Sequence, residues 1–355
     1  MSSPREKQSR YSEALAPGNM IETWKRSELD RLSRAHGLRY SKALGQNFLT
    51  DRNVLEKIAE AAGLSPDDHV IEIGPGLGAL TVFLAQAAGR VTAVEIDRRL
   101  IPALREAVFG LPDVDIVNED FLKYSLPEGP FKIAGNLPYN ITTPIIAKLY
   151  EQPRPGSGGS ADGAQAKPDA SASGGQPRPG SGVSADGAQA KPDASASGGQ
   201  PKHSAAHEAP CPPGLAVLMV QKEVAERLVS PPGKKAYGAI SVLVQYYTGA
   251  EILFPVSREV FVPKPGVDSA VIRLRPRDLS GDSPAVAARM FRLVRAGFDM
   301  RRKTLRNSLA RAGYTEEALL AALEASGIDP GRRAETLSPR EFYTLAGHCS
   351  RLAEI

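Results

Sequence analysis

Features that secreted and membrane proteins rely on are scarce in this sequence. The chain has 355 residues but only two cysteines, Cys211 and Cys349, which lie too far apart to suggest a disulfide framework or a zinc site. The longest apolar run, residues 215–220, is too short to cross a bilayer. No apolar segment follows the charged start of the chain, so no signal peptide is expected. We therefore expect a cytoplasmic protein that needs no membrane, no disulfide and no metal ion.

The chain also has no strong net charge of either sign. Lysine and arginine total 44 residues against 40 aspartates and glutamates, which gives a net charge of +4 and a pI near 9.0. This slight basic excess favours a polyanionic partner such as nucleic acid, but only weakly. The hydrophobic share of 42% is sufficient for a packed globular core.

Helical and strand patterns alternate between residues 40 and 150, which predicts a parallel, doubly wound sheet of the Rossmann-like α/β class. After Pro276 the pattern becomes purely helical, which predicts a small all-helical C-terminal domain. The predicted elements are, in order, helix 53–62, strand 69–73, helix 79–88, strand 91–95, helix 98–108, strands 114–117, 132–134 and 215–220, helix 222–228, and strands 242–247 and 271–274.

A tandem repeat interrupts this pattern. Residues 152–175 recur as residues 176–199, and the only change is Gly159 to Val183. The repeat is rich in glycine, proline, alanine and serine and has almost no apolar residues to bury, so residues 152–213 are predicted to be a disordered insertion. The resulting domains are an N-terminal extension at 1–38 with one amphipathic helix, a catalytic domain at 39–276 around the insertion, and a helical domain at 277–355.

A cofactor site is predicted at the end of the first long strand. Residues 74–78, the glycine turn, read Gly-Pro-Gly-Leu-Gly between a strand and a helix, where glycine allows close approach of a ligand. Glu95 ends the next strand and can accept hydrogen bonds from two ribose hydroxyls. The spacing differs from the G-x-G-x-x-G of dinucleotide sites, and the turn has no basic residue for a phosphate, which favours S-adenosylmethionine. Asp120 follows a third strand and either contacts the adenine amine of the cofactor or caps a helix.

A second constellation follows the strand at 132–134 and comprises Asn136, Leu137, Pro138 and Tyr139. An exocyclic amine on a nucleobase is a poor nucleophile, because its lone pair is delocalised into the ring. The Asn136 side-chain oxygen and a backbone carbonyl, most simply that of Leu137, could accept both amine hydrogens, while Pro138 stiffens the turn. Tyr139 offers a ring on which a base stacks. The alternative is an ordinary turn with a tyrosine in the core.

Several motifs in order resemble the adenine N6-dimethyltransferases of ribosomal RNA, which are class I S-adenosylmethionine-dependent methyltransferases. They are Asn-Leu-Pro-Tyr-Asn-Ile-Thr-Thr-Pro at 136–144, Leu-Gly-Gln-Asn-Phe-Leu at 44–49, Gln-Lys-Glu-Val-Ala at 221–225 and the run from Phe261 to Val271. The resemblance covers residues 39–150 and 214 to the end. It implies that Phe261 packs against the target base opposite Tyr139. It also implies cofactor contacts at Asn47, Leu49, Gly74, Glu95, Asp120 and Asn136. Gly76 of the glycine turn is expected to contact the cofactor as well.

The helical tail resembles the small-subunit, KsgA-type branch of that family, rather than the large-subunit branch that confers antibiotic resistance. The motifs that carry this resemblance include residues 291–295, 300–309 and 333–339. Six cations close together in the tail could hold a phosphate backbone, although a solvated helix face is the alternative. We call these residues the basic cluster: Arg292, Arg295, Arg301, Arg302, Lys303 and Arg306.

The sequence thus predicts a monomeric enzyme that dimethylates two adjacent adenines near the 3′ end of 16S rRNA, on a partly assembled small subunit. Three other hypotheses remain open. They are a methyltransferase of large-subunit rRNA, a non-enzymatic assembly or transcription factor that kept the fold, and a DNA adenine methyltransferase that flips its base out of the duplex.

Overall fold

The first half of the chain forms parallel strands joined by helices, because apolar strands alternate with helices that cover the two sheet faces. A computed structural model describes residues 21–41, 44–139, 141–150, 213–300 and 302–349, so the tandem repeat and Arg301 lie outside the described residues. The elements of this half are α1 Arg26–Ala35, β1 Phe48–Leu49, α2 Arg52–Ala61, β2 His69–Ile73, α3 Ala79–Ala87, β3 Arg90–Glu95, α4 Ile101–Ala107, β4 Val114–Asn118, β5 Lys132–Asn136 and α5 Thr142–Tyr150.

The second half completes the sheet and then becomes helical. Its elements are β6 Leu215–Gln221, α6 Lys222–Val229, α7 Ala239–Tyr247, β7 Thr248–Val256, β8 Phe261–Val262, β9 Ser269–Pro276, α8 Pro284–Asp299, α9 Leu305–Arg311, α10 Glu316–Ala325 and α11 Pro339–His348, with short 3-10 turns at Arg258–Val260 and Ala334–Thr336.

Seven strands form the main sheet in the order β4-β3-β2-β5-β6-β9-β7. The strands from β4 to β6 run parallel, whereas β9 is antiparallel to both β6 and β7. The chain moves outward from β2 to β3 and β4, and then returns to place β5 on the other side of β2. The crevice between the carboxyl ends of β2 and β5 is therefore the topological switch point, where sheets of this class bind ligands.

One predicted strand is wrong. Residues 242–247 lie in helix α7, which spans Ala239–Tyr247, and the strand of this region is β7, which follows at once. The segment is rich in β-branched and aromatic residues, and it is buried on most sides, so its apolar run shows no helical period. The Gly238 N–H donates to Ser241 Oγ at 3.0 Å at the first turn, a local interaction that helps the helix begin.

The C-terminal helices pack onto the sheet layer through shared apolar side chains. Met290 and Leu293 of α8 and Phe342 of α11 belong to the same buried cluster as Ile133 and Leu218 of the sheet. The helical pattern predicted after Pro276 is confirmed, and the domain boundary placed there stays a prediction. In the described part of the chain, no helix is both long and apolar enough to cross a bilayer.

Candidate active site

The glycine turn lies at the end of β2, as predicted. Gly74, Gly76 and Gly78 all have positive φ, at +67°, +60° and +83°, a region that side chains with a Cβ rarely adopt. A Cβ at Gly76 would come within 2.9 Å of the Phe48 ring. The turn therefore packs closely against Phe48 of β1, the short strand that includes Leu49, one of the cofactor contacts that the resemblance implies.

Glu95 lies at the end of β3, and backbone groups hold its carboxylate. Its Oε2 accepts from the Gly76 N–H at 3.0 Å, and its Oε1 accepts from the Asp97 N–H at 2.8 Å. Burial raises the pKa of the Glu95 carboxyl, and these backbone N–H donors act in the opposite direction. A carboxylate has about four acceptor positions, so each oxygen can still accept another hydrogen bond. Its orientation is thus fixed before a ligand arrives.

Asp97 ties the loop before β1 to the end of β3, a link that the sequence did not predict. The Gln46 Nε2 donates to Asp97 Oδ2 at 2.8 Å, and the Arg99 guanidinium donates to both carboxylate oxygens at 2.8 and 2.7 Å. The Arg99 guanidinium is the main reason that the pKa of Asp97 falls to about 2. The carboxylate is therefore charged at neutral pH and holds Gln46, which directly precedes Asn47.

Asn136 ends β5 across the switch point from Gly74. Its Nδ2 donates to the Asn47 carbonyl oxygen at 2.9 Å. Only the nitrogen end of an amide can donate to a carbonyl, so this contact determines which end is Oδ1 and keeps that oxygen as an acceptor in a residue that lines the cleft. A Cβ at the preceding Gly135 would lie 2.6 Å from the Ile73 carbonyl oxygen, so only glycine lets β5 approach β2 this closely.

The segment after Asn136 is held on both sides. The Leu137 N–H donates to the Met219 carbonyl at 3.0 Å, and the Thr142 Oγ1 donates to the Pro138 carbonyl at 3.1 Å. The Tyr139 hydroxyl lies 2.7 Å from Ser269 Oγ, at the first residue of β9. Desolvation raises the pKa of the Tyr139 hydroxyl, so the phenol is neutral at physiological pH. The hydrogen bond to Ser269 thereby holds Tyr139 in the lining of the cleft.

These groups line one cleft of about 910 Å³, a volume that includes its open mouth. Of the predicted residues, the lining includes Asn47, Leu49, Gly74, Gly76, Glu95, Asn136, Leu137, Pro138 and Tyr139. The structure thus brings together both the predicted cofactor site and the predicted chemical site.

Two predicted site residues are not part of this lining. The Asp120 Oδ1 accepts from the Leu122 N–H at 2.9 Å in a turn, and no helix begins there in the described part of the chain, so Asp120 is not the helix cap that was the alternative. The Phe261 ring is only 3% exposed and belongs to the buried cluster that contains Leu49 and Leu55. Phe261 therefore lies behind the lining, because β8 pairs with β1 and Leu49 is its register partner. To stack on a base, this ring would have to leave that cluster.

Glu72 is a buried acid that the sequence did not single out as a site residue. It lines the cleft next to the glycine turn, and its Oε2 has no hydrogen-bond partner within the described ranges. Burial raises the pKa of Glu72 to about 8. In the sequence, a role for Glu72 is indicated only by its position in the strand, two residues before Gly74. A carboxyl group is unusual there, because a strand buried on both faces rarely has one.

The basic cluster extends from the second half of α8 to the start of α9. Arg292, Arg295, Arg302 and Lys303 are exposed, and the first two are three positions apart on one helix, so they share a face. Arg306 forms an ion pair with Glu316 and contributes less free charge than the sequence suggested. Exposed cations with few acids around them present a surface that attracts a polyanion.

Comparison of this chain with known proteins identifies its family. The family described as ribosomal RNA adenine dimethylase matches residues 37–160 and 210–350. The chain belongs to this family. The resemblance predicted from the motifs is therefore confirmed, as is the Rossmann-like α/β fold. The match resumes at residue 210, after the tandem repeat, and it does not include residues 1–36.

Individual members of the family and solved structures are also similar to this chain. The ribosomal RNA small subunit methyltransferase A of Pelotomaculum thermopropionicum is 40% identical over 89% of this chain and 93% of its own. The 23S rRNA methyltransferase ErmE superposes with a TM-score of 0.57 at 27% identity, over 86% of this chain and 100% of its own. A dimethyladenosine transferase from Plasmodium falciparum shares the fold, with a TM-score of 0.60 at 23% identity over 84% and 95% of the two chains.

Proposed function

We propose that this protein transfers methyl groups from S-adenosylmethionine to the N6 amines of two adjacent adenines near the 3′ end of 16S rRNA. The observation that carries the proposal is the position of Asn136, which lines the cleft and whose Nδ2 is bound to the Asn47 carbonyl, so that Oδ1 is the end of the amide that can accept from a substrate. The 40% identity to a small-subunit methyltransferase, against 27% to a 23S rRNA enzyme, supports the small-subunit branch. In this proposal the protein acts as a cytoplasmic monomer on a partly assembled small subunit.

The cleft fits S-adenosylmethionine at several points. Gly74 and Gly76 leave room for a ligand to approach the backbone, and Glu95 retains acceptor positions for two ribose hydroxyls. An ammonium group beside the unpartnered Glu72 oxygen would lower the pKa that burial raises and would favour the carboxylate, and the methionine end of this cofactor has such an ammonium group. Asn47, Leu49 and Asn136 complete the contacts, and Asp120 stays a proposed contact to the adenine amine.

When bound, S-adenosylmethionine supplies an electrophilic methyl group, and the residues of the chain supply the position of the amine. Asn136 Oδ1 accepts one hydrogen of the adenine amine, and the Leu137 carbonyl accepts the other. Both contacts favour a pyramidal nitrogen, whose lone pair can then point towards the methyl group. The amine nitrogen would take the methyl group as the bond from that group to sulfur breaks, and would then lose one proton to water. Transfer needs this placement above all, so we propose neither a metal ion nor a strong base.

Tyr139 is expected to act through the face of its ring. Changing Tyr139 to Ala should slow single-turnover methyl transfer about 10- to 100-fold, because stacking on a base contributes roughly 1–3 kcal/mol. Changing Tyr139 to Phe keeps the ring and loses only the hydrogen bond to Ser269, so a loss of about threefold is expected. If the Phe variant were as slow as the Ala variant, the hydroxyl rather than the ring face would be the active feature.

The basic cluster is proposed to dock the enzyme on the rRNA backbone. Replacing both Arg292 and Arg295 with Ala should weaken binding to small subunits and lower the steepness of its salt dependence, by about one in log–log slope for each lost phosphate contact. The binding constant measured over a range of salt concentrations tests this. The double variant Arg105→Ala, Lys123→Ala removes two exposed cations elsewhere and serves as the matched control. Equal slopes for both double variants would contradict docking by this cluster.

A transfer assay with labelled cofactor tests the proposal against its alternatives. Purified small subunits that lack the modification, large subunits and duplex DNA are offered in parallel. Label in dimethyladenine of the small subunit is the expected result. Label in large-subunit RNA alone would favour the resistance branch, label in duplex DNA would favour a DNA methyltransferase, and no transfer to any of them would favour a non-enzymatic factor.

A further inference from the structure

The N-terminal segment at residues 21–36 lies before the residues matched by the family, yet it packs on the cleft. We define residues 21–36 as the N-terminal strap. Leu29 and Leu32 of α1 are buried in one cluster with Phe48, Leu77 and Leu100. Phe48, Leu77 and Leu100 themselves line the cleft, and so does Leu29. The apolar face of α1 is therefore continuous with the cleft wall.

Polar contacts fix the outer side of the strap. The Arg31 guanidinium and the His36 Nε2 each lie against the Glu106 carboxylate of α4, at 2.9 and 2.8 Å. The Ser33 hydroxyl lies 3.0 Å from the Tyr40 hydroxyl, and the Tyr40 ring contacts Phe48 with ring centres 5.1 Å apart. These contacts join α1 to α4 and to the loop that leads into β1, so the strap does not project into solvent.

The residues before α1 are also anchored. The Trp24 side chain is 4% exposed and its ring centre lies 5.0 Å from that of Phe83. The Arg52 guanidinium lies over the Trp24 ring, at 5.8 Å from its centre. The backbone at residue 23 is thus anchored by the adjacent Trp24 side chain, two residues before α1 begins.

Thr23 is the polar group that this anchoring places in the cleft. It lines the cleft and is 0% exposed, and its Oγ1 has no hydrogen-bond partner among the residues that the structure describes. A buried hydroxyl without a partner destabilises a protein unless a ligand or a bound water completes its hydrogen bonds. Thr23 thus has a hydrogen-bonding capacity that nothing in the described protein uses.

We propose that the N-terminal strap is part of the cofactor site, and that the Thr23 hydroxyl forms a hydrogen bond with bound S-adenosylmethionine, directly or through one water. This inference rests on the proposed cofactor. The strap closes the side of the cleft next to Leu29, and Thr23 supplies a polar contact within that otherwise apolar wall. Residues outside the matched family range then contribute to cofactor affinity in this chain.

Calorimetric titration of the full chain with S-adenosylhomocysteine tests the role of the hydroxyl. Thr23→Val keeps the shape and removes the hydroxyl, so we expect binding about three- to tenfold weaker than in the wild type. Thr23→Ser keeps the hydroxyl, and we expect its affinity to stay within about twofold of the wild type. The melting temperature of the ligand-free Val variant should be unchanged or higher, because the change removes an unpartnered buried polar group.

Hydrogen exchange of the wild-type protein gives a second readout that needs no variant. Backbone amides of residues 21–36 should exchange more slowly when S-adenosylhomocysteine is bound. Unchanged exchange in the strap, or a Thr23→Val variant that binds as tightly as the wild type, would overturn the inference. If the wild type itself did not bind S-adenosylhomocysteine, the proposed cofactor would fail instead, so the two failures are distinguishable.

Discussion

Replacing Asn136 with Ala is expected to lower the single-turnover rate of methyl transfer by about 100-fold or more, at saturating cofactor and small subunits. The substitution removes the Oδ1 acceptor that orients the adenine amine. It also removes the donor to the Asn47 carbonyl, which is 2.9 Å away. Because the acceptor is used chiefly as the amine changes shape during transfer, the loss should appear in the rate rather than in substrate affinity.

Two further variants make this test specific. Asn136→Asp retains oxygen acceptors but cannot donate to the Asn47 carbonyl, so its carboxylate is repelled from that oxygen and little activity should return. Asn53→Ala changes an exposed asparagine on α2 and should leave the rate unchanged. If Asn136→Ala kept more than about one tenth of the wild-type rate, amine orientation by this residue would be refuted. A non-enzymatic role for the protein would gain if that variant kept full cellular function.

Replacing Glu95 with Gln is expected to weaken binding of S-adenosylhomocysteine by about 10- to 100-fold, since hydrogen bonds to a charged group contribute roughly 1.5–3 kcal/mol. The backbone N–H groups of Gly76 and Asp97 each donate to one carboxylate oxygen. A glutamine must turn its NH₂ group towards one of these donors, and it offers fewer acceptors to the ribose. Calorimetric titration measures the change, and thermal melting checks that the variant is folded.

The exposed Glu60 of α2 provides the matched control for this substitution. Glu60→Gln makes the same chemical change outside the cleft and should bind like the wild type. Equal affinities for the Glu95 and Glu60 variants would mean that the carboxylate of Glu95 does not contact the cofactor.

The central part of the site follows from local sequence and parallel topology. Strand, glycine turn and helix at residues 70–87 are adjacent in sequence, and Glu95 and Asn136 each end a strand. The carboxyl ends of parallel strands meet at one edge, so three separate motifs predict one cleft. Because β2 pairs with β5, Gly74 at the end of one strand lies opposite Asn136 at the end of the other.

Other features depend on contacts between distant parts of the chain. Ser269 lies 130 positions from Tyr139, and its short polar side chain gives no local sign of this hydrogen bond. Phe261 is buried because β8 pairs with β1, a two-residue ladder too short to show a strand pattern. The helix at 239–247 was missed because burial on most sides removes the helical period, so its β-branched residues predicted a strand. The contribution of Thr23 to the cleft depends on packing of α1 that composition does not reveal.

The most direct test of the proposed function is mass spectrometry of rRNA from cells with and without this protein. We expect two adjacent N6,N6-dimethyladenines near the 3′ end of 16S rRNA to be present with the protein and absent without it. They should return when the wild-type chain is restored, and should not return with the Asn136→Ala variant. Full dimethylation of both adenines in cells that lack the protein would contradict the account.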